Sequence, residues 1–310
     1  MTLVLHDARG YRHAFAHPPE RIVSLVPSLT ATLFDLDQGR RLVGCTDYCE
    51  LPAGYETIPR LGGTKNPKRF AIRDLRPDLI LMNIEENRRY DAEWFEQAGL
   101  PVFATFPRSP AQALAEIANL AALCGVAGQP AWEERRQRVQ AYLTELEQRR
   151  RALSGPRTRF FVAIWKDPWM TANAETYVSA LLELSGAVNV FADRRRRFPL
   201  AFELGLSDRE DEVEGLDTRY PRLRLEELVP AAPDVILLPS EPWGFGPVQV
   251  AELLADPELQ TVPAIRQRRL HLVDGRPLLW HSLGWLEQAL ASLASGQLAA
   301  ILAPTPVPSL

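Results

Sequence analysis

The stretch Arg76-Pro77-Asp78-Leu79-Ile80-Leu81 returns in the second half of the chain as Ala232-Pro233-Asp234-Val235-Ile236-Leu237. Each copy sets a proline and an aspartate ahead of a run of branched apolar residues, which reads as a short connection into a buried strand. Each copy also follows a short leucine-bearing helical stretch, so one αβ unit is predicted to recur on both sides of the middle of the chain. Around the first copy, strand-like runs at 21–26, 41–45, 78–82 and 101–106 alternate with helical stretches. Those helices start near Ser28, at Asn66-Pro67, over 87–98 and from Ser109-Pro110 to Gly125. Ser28 is expected to cap the first of them with its side chain, and Asn66-Pro67 to supply a cap and a first-turn proline. Around the second copy, strands are read at 159–165, 234–238 and 269–273, with helices over 175–185 and from Ser282. Strands alternating with helices predict βαβ units and mainly parallel sheets.

Between the copies, Pro130 to Leu153 reads as one strongly charged helix with Trp132, Val139, Leu143, Leu146 and Leu153 on one stripe. At ~1.5 Å per residue it spans roughly 35 Å, long enough to run from one lobe to another. The predicted fold is therefore α/β, with two lobes of mainly parallel sheet joined by one long backbone helix. The boundaries are an N-terminal lobe over 1–128, the helix over 129–154, a C-terminal lobe over 155–303 and a tail over 304–310. A charged stretch at 193–219 is expected as an inserted loop.

Composition supports two cores and narrows the function. The chain has 310 residues, 46% apolar and 24% charged, which excludes disorder. A net charge of −4 gives no electrostatic case for nucleic acid, and the arginine runs at 149–151 and 194–197 read as solvated surface. His6 and Asp7 interrupt the first apolar run, so a cytoplasmic location is expected for the sequence as written, or the periplasm or cell surface if the true start lies upstream. The three cysteines suit a reducing compartment. Cys45 and Cys49 have no second cysteine or histidine pair, so no metal site is predicted and both read as small buried side chains. No dinucleotide fingerprint, P-loop, nucleophile elbow or zinc-protease motif is present. The expectation is a binding protein, not an enzyme, without catalytic residues or a resident cofactor; the alternative is an enzyme using Glu85, Glu86 and Glu241.

In doubly wound sheets, ligands sit beyond the carboxyl ends of the strands. Those positions here are rich in aromatics, which suits a large flat ligand. The expected ligand-binding residues are Ser28, Tyr48, Glu85 and Asn87 in the first lobe, and Trp165, Trp169, Trp243, Phe245 and Trp280 in the second. The ligand is expected in the cleft between the lobes of a monomer.

The segments Asp7–Gly10, Pro19–Thr30, Val43–Cys49, Gly62–Pro67, Leu182–Asn189 and Ser240–Phe245 resemble, in order and spacing, the helical-backbone (class III) substrate-binding proteins of ABC importers. That family carries cobalamin, haem or iron siderophores. The resemblance implies two Rossmann-like lobes bridged by a rigid helix, with Tyr48, Trp165, Trp169, Trp243 and Phe245 walling the pocket. Ser240-Glu241-Pro242 followed by an aromatic most resembles cobalamin-type members, implying a corrinoid first and an iron chelate second. Only Tyr48 suits a haem or bare-metal ligand. Ala31 stands where members usually carry glutamate. Docking to a permease implies one surface glutamate per lobe; Glu226 fits in the second, whereas Lys68 occupies the first-lobe place and would repel a transporter arginine. The expected role is an importer component or a leaderless intracellular receptor.

Overall fold

The computed structural model describes residues 2–196 and 217–304. Most of the expected insertion at 193–219, and all of the tail beyond Pro304, lie outside the described residues. Contacts divide the chain into two compact units, Met1–Gln140 with Trp280–Glu287, and Ala141–Leu279 with Gln288–Leu310.

In chain order the first unit carries β1 (Leu3–His6), β2 (Arg12–Phe15), β3 (Ile22–Ser24), α1 (Pro27–Asp35), β4 (Leu42–Cys45), β5 (Gly62–Gly63), β6 (Asn66–Pro67), α2 (Arg69–Asp74), β7 (Leu79–Asn83), α3 (Arg89–Gln97), β8 (Val102–Thr105) and α4 (Pro110–Leu123). Four strands form a parallel sheet in the order β4-β3-β7-β8. All five residues of β7 are buried, as expected for a strand covered on both faces. Ile80, Met82, Val23 and Val102 pack with Phe95 of α3 and Ile72 of α2 in the core.

Two local expectations are corrected. The helix α1 begins at Pro27 after a Val26 N-cap, and no side chain caps it. Val26 has no polar atom to cap with, and Ser28 sits buried inside the first turn instead. Asn66-Pro67 forms a strand rather than a helix start, because Gly62 adopts φ +87° and lets the chain double back. A Cβ on Gly62 would meet the Asn66 carbonyl at 2.8 Å.

The long helix α5 runs over Pro130–Ala152, with Trp132, Val139, Leu143 and Leu146 buried. Its residues to Gln140 belong to the first unit and those from Ala141 to the second. Leu153 lies beyond the helix end and is exposed, contrary to its place on the predicted stripe. Within the first unit, Arg135 pairs with Glu287 at 3.2 Å and donates to the Asp35 carbonyl at 3.0 Å. The Gly284 N–H donates to the Asp35 carboxylate at 2.8 Å.

The second unit holds β9 (Arg159–Trp165), β10 (Met170–Thr171), α6 (Tyr177–Glu183), β11 (Val188–Asn189), β12 (Val235–Pro239) and β13 (Leu270–Val273), with short helices between and after them. Phe160 of β9 pairs in parallel with Asn189 on one side and Val235 on the other. The parallel strands thus lie second, first, third, fourth in chain order, the order found in the first unit. Arg222 bridges antiparallel to Met170 of β10.

The echoed phrase folds alike in both units. Arg76 and Ala232 take left-handed φ values of +48° and +42°. The following aspartates bond the chain at the start of the first parallel strand: Asp78 accepts from the Arg21 N–H at 2.9 Å, and Asp234 from the Arg159 N–H at 2.8 Å. Each of those arginines returns a guanidinium hydrogen bond to the chain before the proline, Arg21 to the Leu75 carbonyl at 2.6 Å and Arg159 to the Ala231 carbonyl at 2.9 Å.

Candidate functional site: the strand mouths

A doubly wound sheet opens a crevice where its connections leave in opposite directions, at the carboxyl ends of the first and third parallel strands. In the first unit this falls between β3 and β7, and in the second between β9 and β12.

At the second-unit mouth, Trp165 ends β9 and is exposed. Its ring meets that of Trp243, which follows β12, at 5.1 Å between centroids and 68°. Beside them Trp169 stacks on Phe245 at 5.6 Å and 19°. Phe245 is buried with Phe161, Leu238 and Leu253. Trp169 rests on its ring. The loops after β12 and β13 are held in close approach, since a Cβ on Gly275 would lie 2.7 Å from the Glu241 backbone nitrogen. The Gly275 N–H also donates to Ser240 Oγ at 3.1 Å. Glycine at 275 therefore shapes the segment carrying Trp243, a role the sequence signalled only as a glycine after a strand.

At the first-unit mouth, Asn87 is buried and fully engaged. Its Nδ2 donates to the Leu25 carbonyl at 3.1 Å and the Thr64 carbonyl at 2.9 Å, while its Oδ1 accepts from the Asn83 N–H at 2.8 Å. Asn87 thus ties the ends of β3 and β7 together. Asn83 Oδ1 accepts from the Glu85 and Glu86 N–H groups at 2.8 and 3.3 Å, and Lys65 donates to the Glu85 carbonyl at 2.6 Å. This shapes the turn on which Glu85 stands half-buried. Ser28 is buried. Tyr48 is 66% exposed, with its ring beside the β5–β6 hairpin. Trp280, read in the sequence as part of the second lobe, belongs to the first unit, where it meets Trp285 edge-on at 6.5 Å.

Glu226 is exposed on the turn Leu225–Glu227 and pairs with Arg224 at 3.2 Å. Lys68 is exposed and donates to the Arg60 carbonyl at 3.4 Å. A cavity of about 250 Å³ in the second unit is lined by Leu146, Thr158, Leu184 and Leu293. Thr158 precedes β9, so this cavity lies at the opposite end of that strand from Trp165. Among the described residues no three His, Cys, Asp or Glu side chains converge as a metal site, and no helix is long and apolar enough to cross a membrane.

Each unit is a mainly parallel α/β sheet, and the second-unit mouth is walled by aromatic side chains. The chain belongs to the periplasmic binding protein family, whose model matches residues 22–277. Its curated relatives include the vitamin B12-binding proteins of Yersinia pestis (strain Pestoides F) and Yersinia pseudotuberculosis serotype O:1b (strain IP 31758). Each is 27% identical over 186 residues, 59% of this chain; the match spans 64% of the length of those relatives. Among solved structures, the apo periplasmic haem-binding protein RhuT from Roseiflexus sp. RS-1 superposes with a TM-score of 0.68 at 24% identity, covering 91% of this chain and 98% of that one. The periplasmic vitamin B12-binding protein BtuF of Vibrio cholerae gives 0.66 at 19% identity, covering 90% and 98%. These likenesses establish the fold. The family is one of substrate-binding proteins, not of enzymes, so the alternative built on Glu85, Glu86 and Glu241 falls.

Proposed function

We propose that this chain binds a corrinoid on the aromatic side chains at its strand mouths, with a ferric chelate as the second reading. The observation that carries this is the Trp165–Trp243 pair at the second-unit switch point. Two large rings held edge to face offer much apolar contact at little entropic cost, which suits a broad macrocycle with a polar rim. Trp169, supported on Phe245, extends the aromatic surface at that mouth. The relatives named as vitamin B12-binding proteins favour the corrinoid, and the haem-binding neighbour keeps an iron chelate second.

Delivery to a permease is the family's habit, and exposed Glu226 supports it here. Lys68 on the first unit opposes docking on arginines, and the second reading of the role is a receptor that works without a permease.

Titration of intrinsic tryptophan fluorescence with cobalamin, ferric siderophores and haem, corrected for light absorbed by the ligand, tests the proposal. Saturable quenching by cobalamin at the lowest concentration supports the corrinoid. Tighter quenching by a ferric chelate replaces it with the second reading, and no response to any of the three removes both.

A further inference from the structure

The cavity of about 250 Å³ lies wholly within the second unit, among the end of α5, the residues before β9, the turn after α6 and the helix Gln297–Leu302. Its body is aliphatic: Leu146, Leu184, Leu293 and Leu302 line it and are buried. Leu153, 48% exposed just past the end of α5, lines it as well. Gly186, the residue that ends the turn after α6, takes φ +88°, and a Cβ there would collide with Leu153 Cδ1. Glycine at 186 therefore lets this leucine settle over the turn. None of the lining side chains is aromatic, so nothing here stacks on a planar ligand.

Polar groups stand at one end of this apolar space. Thr158 lines the cavity and is 4% exposed, and its Oγ1 is buried without a hydrogen-bond partner. A buried hydroxyl left unpaired is costly, and a ligand oxygen that reaches it removes the cost. Arg149 and Arg157 also line the cavity. The first is already engaged, pairing with Glu145 and donating to the Ala294 carbonyl at 2.6 Å. Arg157 is exposed and forms no ion pair among the described residues. Its charge acts on Glu183, whose carboxyl is nonetheless pushed up by burial, against the Asn189 N–H, Arg150 and Arg157.

We propose that this cavity is a second ligand site, at the opposite end of β9 from Trp165, that takes a medium-chain fatty carboxylate. The acyl chain lies among the leucines, and the carboxylate pairs with Arg157 and accepts the Thr158 hydroxyl. One uncommitted guanidinium and one unpaired hydroxyl match the two oxygens of a carboxylate. The volume exceeds the ~150 Å³ that admits benzene, and holds a chain of roughly six to eight carbons.

The test titrates the full-length protein with octanoate and with octan-1-ol by calorimetry, and maps a photoreactive diazirine analogue of octanoate by peptide mass spectrometry. The expected result is saturable binding of one octanoate, with label on peptides spanning 146–158, 184–187 and 293–304. Octan-1-ol, which has the chain without the charge, is expected to bind at least about ten-fold more weakly. Arg157→Gln is expected to weaken octanoate by about ten-fold and leave octan-1-ol unchanged. Thr158→Val is expected to weaken octanoate while raising the melting temperature of the free protein, because it removes the unpaired hydroxyl. Ala299→Phe, which fills the cavity, is expected to abolish binding of both. No saturable binding, label at the Trp165–Trp243 mouth instead, equal affinity for octanoate in Arg157→Gln, or binding that appears only when residues 305–310 are removed would each overturn the proposal. The wild-type labelling stands even where a variant does not fold.

Discussion

The carboxylate of Asp234 accepts the backbone N–H of Arg159 at 2.8 Å, and the Arg159 guanidinium reaches back to the Ala231 carbonyl at 2.9 Å. Asp78 and Arg21 repeat this clasp in the first unit. Each fixes where the first parallel strand of its sheet begins relative to the third. Replacing either aspartate with alanine removes bonds at a partly solvated site, so each of Asp78→Ala and Asp234→Ala is expected to cost about 1 kcal/mol. The two lie in different units, and the double variant is expected to show the sum of the single losses within roughly 0.5 kcal/mol in urea denaturation.

Trp243 and Phe245 are separated by one glycine in sequence and by burial in the structure. Trp243→Ala and Trp165→Ala are expected to weaken ligand binding by about 1–3 kcal/mol with little change in melting temperature, because their rings lie at the mouth. Phe245→Ala is expected to behave in the opposite way, costing about 3–5 kcal/mol of stability through the cavity it leaves in the core. Calorimetric titration and thermal unfolding on the same three variants separate the two outcomes.

Asp7 lies in the β1–β2 turn with its carboxylate buried. Burial opposes its ionisation, but His13 Nε2 at 3.3 Å, the Arg9 guanidinium and the Tyr11 N–H hold it down to about 2, against an ordinary 3.8. A depressed carboxyl stabilises the fold above its unfolded value and loses that contribution as pH falls from 3.8 towards 2. The contribution is about 2 kcal/mol. In urea denaturation the stability gap between wild type and Asp7→Asn is expected to be widest above pH 4 and to close towards pH 2.

Glu116 has the opposite sign. Burial pushes its carboxyl up to about 7, only partly offset by the Phe106 N–H that donates to it at 2.8 Å. Its second oxygen, Oε2, is buried without a partner. A raised carboxyl favours the fold below its unfolded value of 4.5, and that contribution is lost as pH rises to about 7. After discounting for its partial exposure, wild type is expected to lose about 2 kcal/mol over that window. Glu116→Gln is expected to flatten that part of the profile.

The regular elements were legible because their periodicity is strong. The buried run at β7, the Ser109 cap of α4 and the whole of β9 follow directly from local pattern. The β1–β2 and β5–β6 hairpins were not, being short strands whose turns depend on a few dihedrals, such as that of Gly62. At the mouths, the sequence located the aromatic loops but not which side chains turn inward. Phe245 and Trp243 are chemically alike, and only the packing against Phe161 and Leu253 buries one of them. The bonds that hold Asn87 were not legible either, because its partners, the Leu25 and Thr64 carbonyls, lie 62 and 23 residues away.

The first unit borrows Trp280–Glu287 from near the far end of the chain, and Arg135 meets Glu287 across 152 residues. Synthesis is vectorial, at ~5–20 residues per second, so Arg135 is made roughly 8–30 s before its partner. During that interval Asp35 lacks the Gly284 amide, and the nascent first unit is incomplete while the second is being made. A ribosome stalled before Trp280 would hold a second unit whose sheet strands are all synthesised beside a first unit still missing its closing segment.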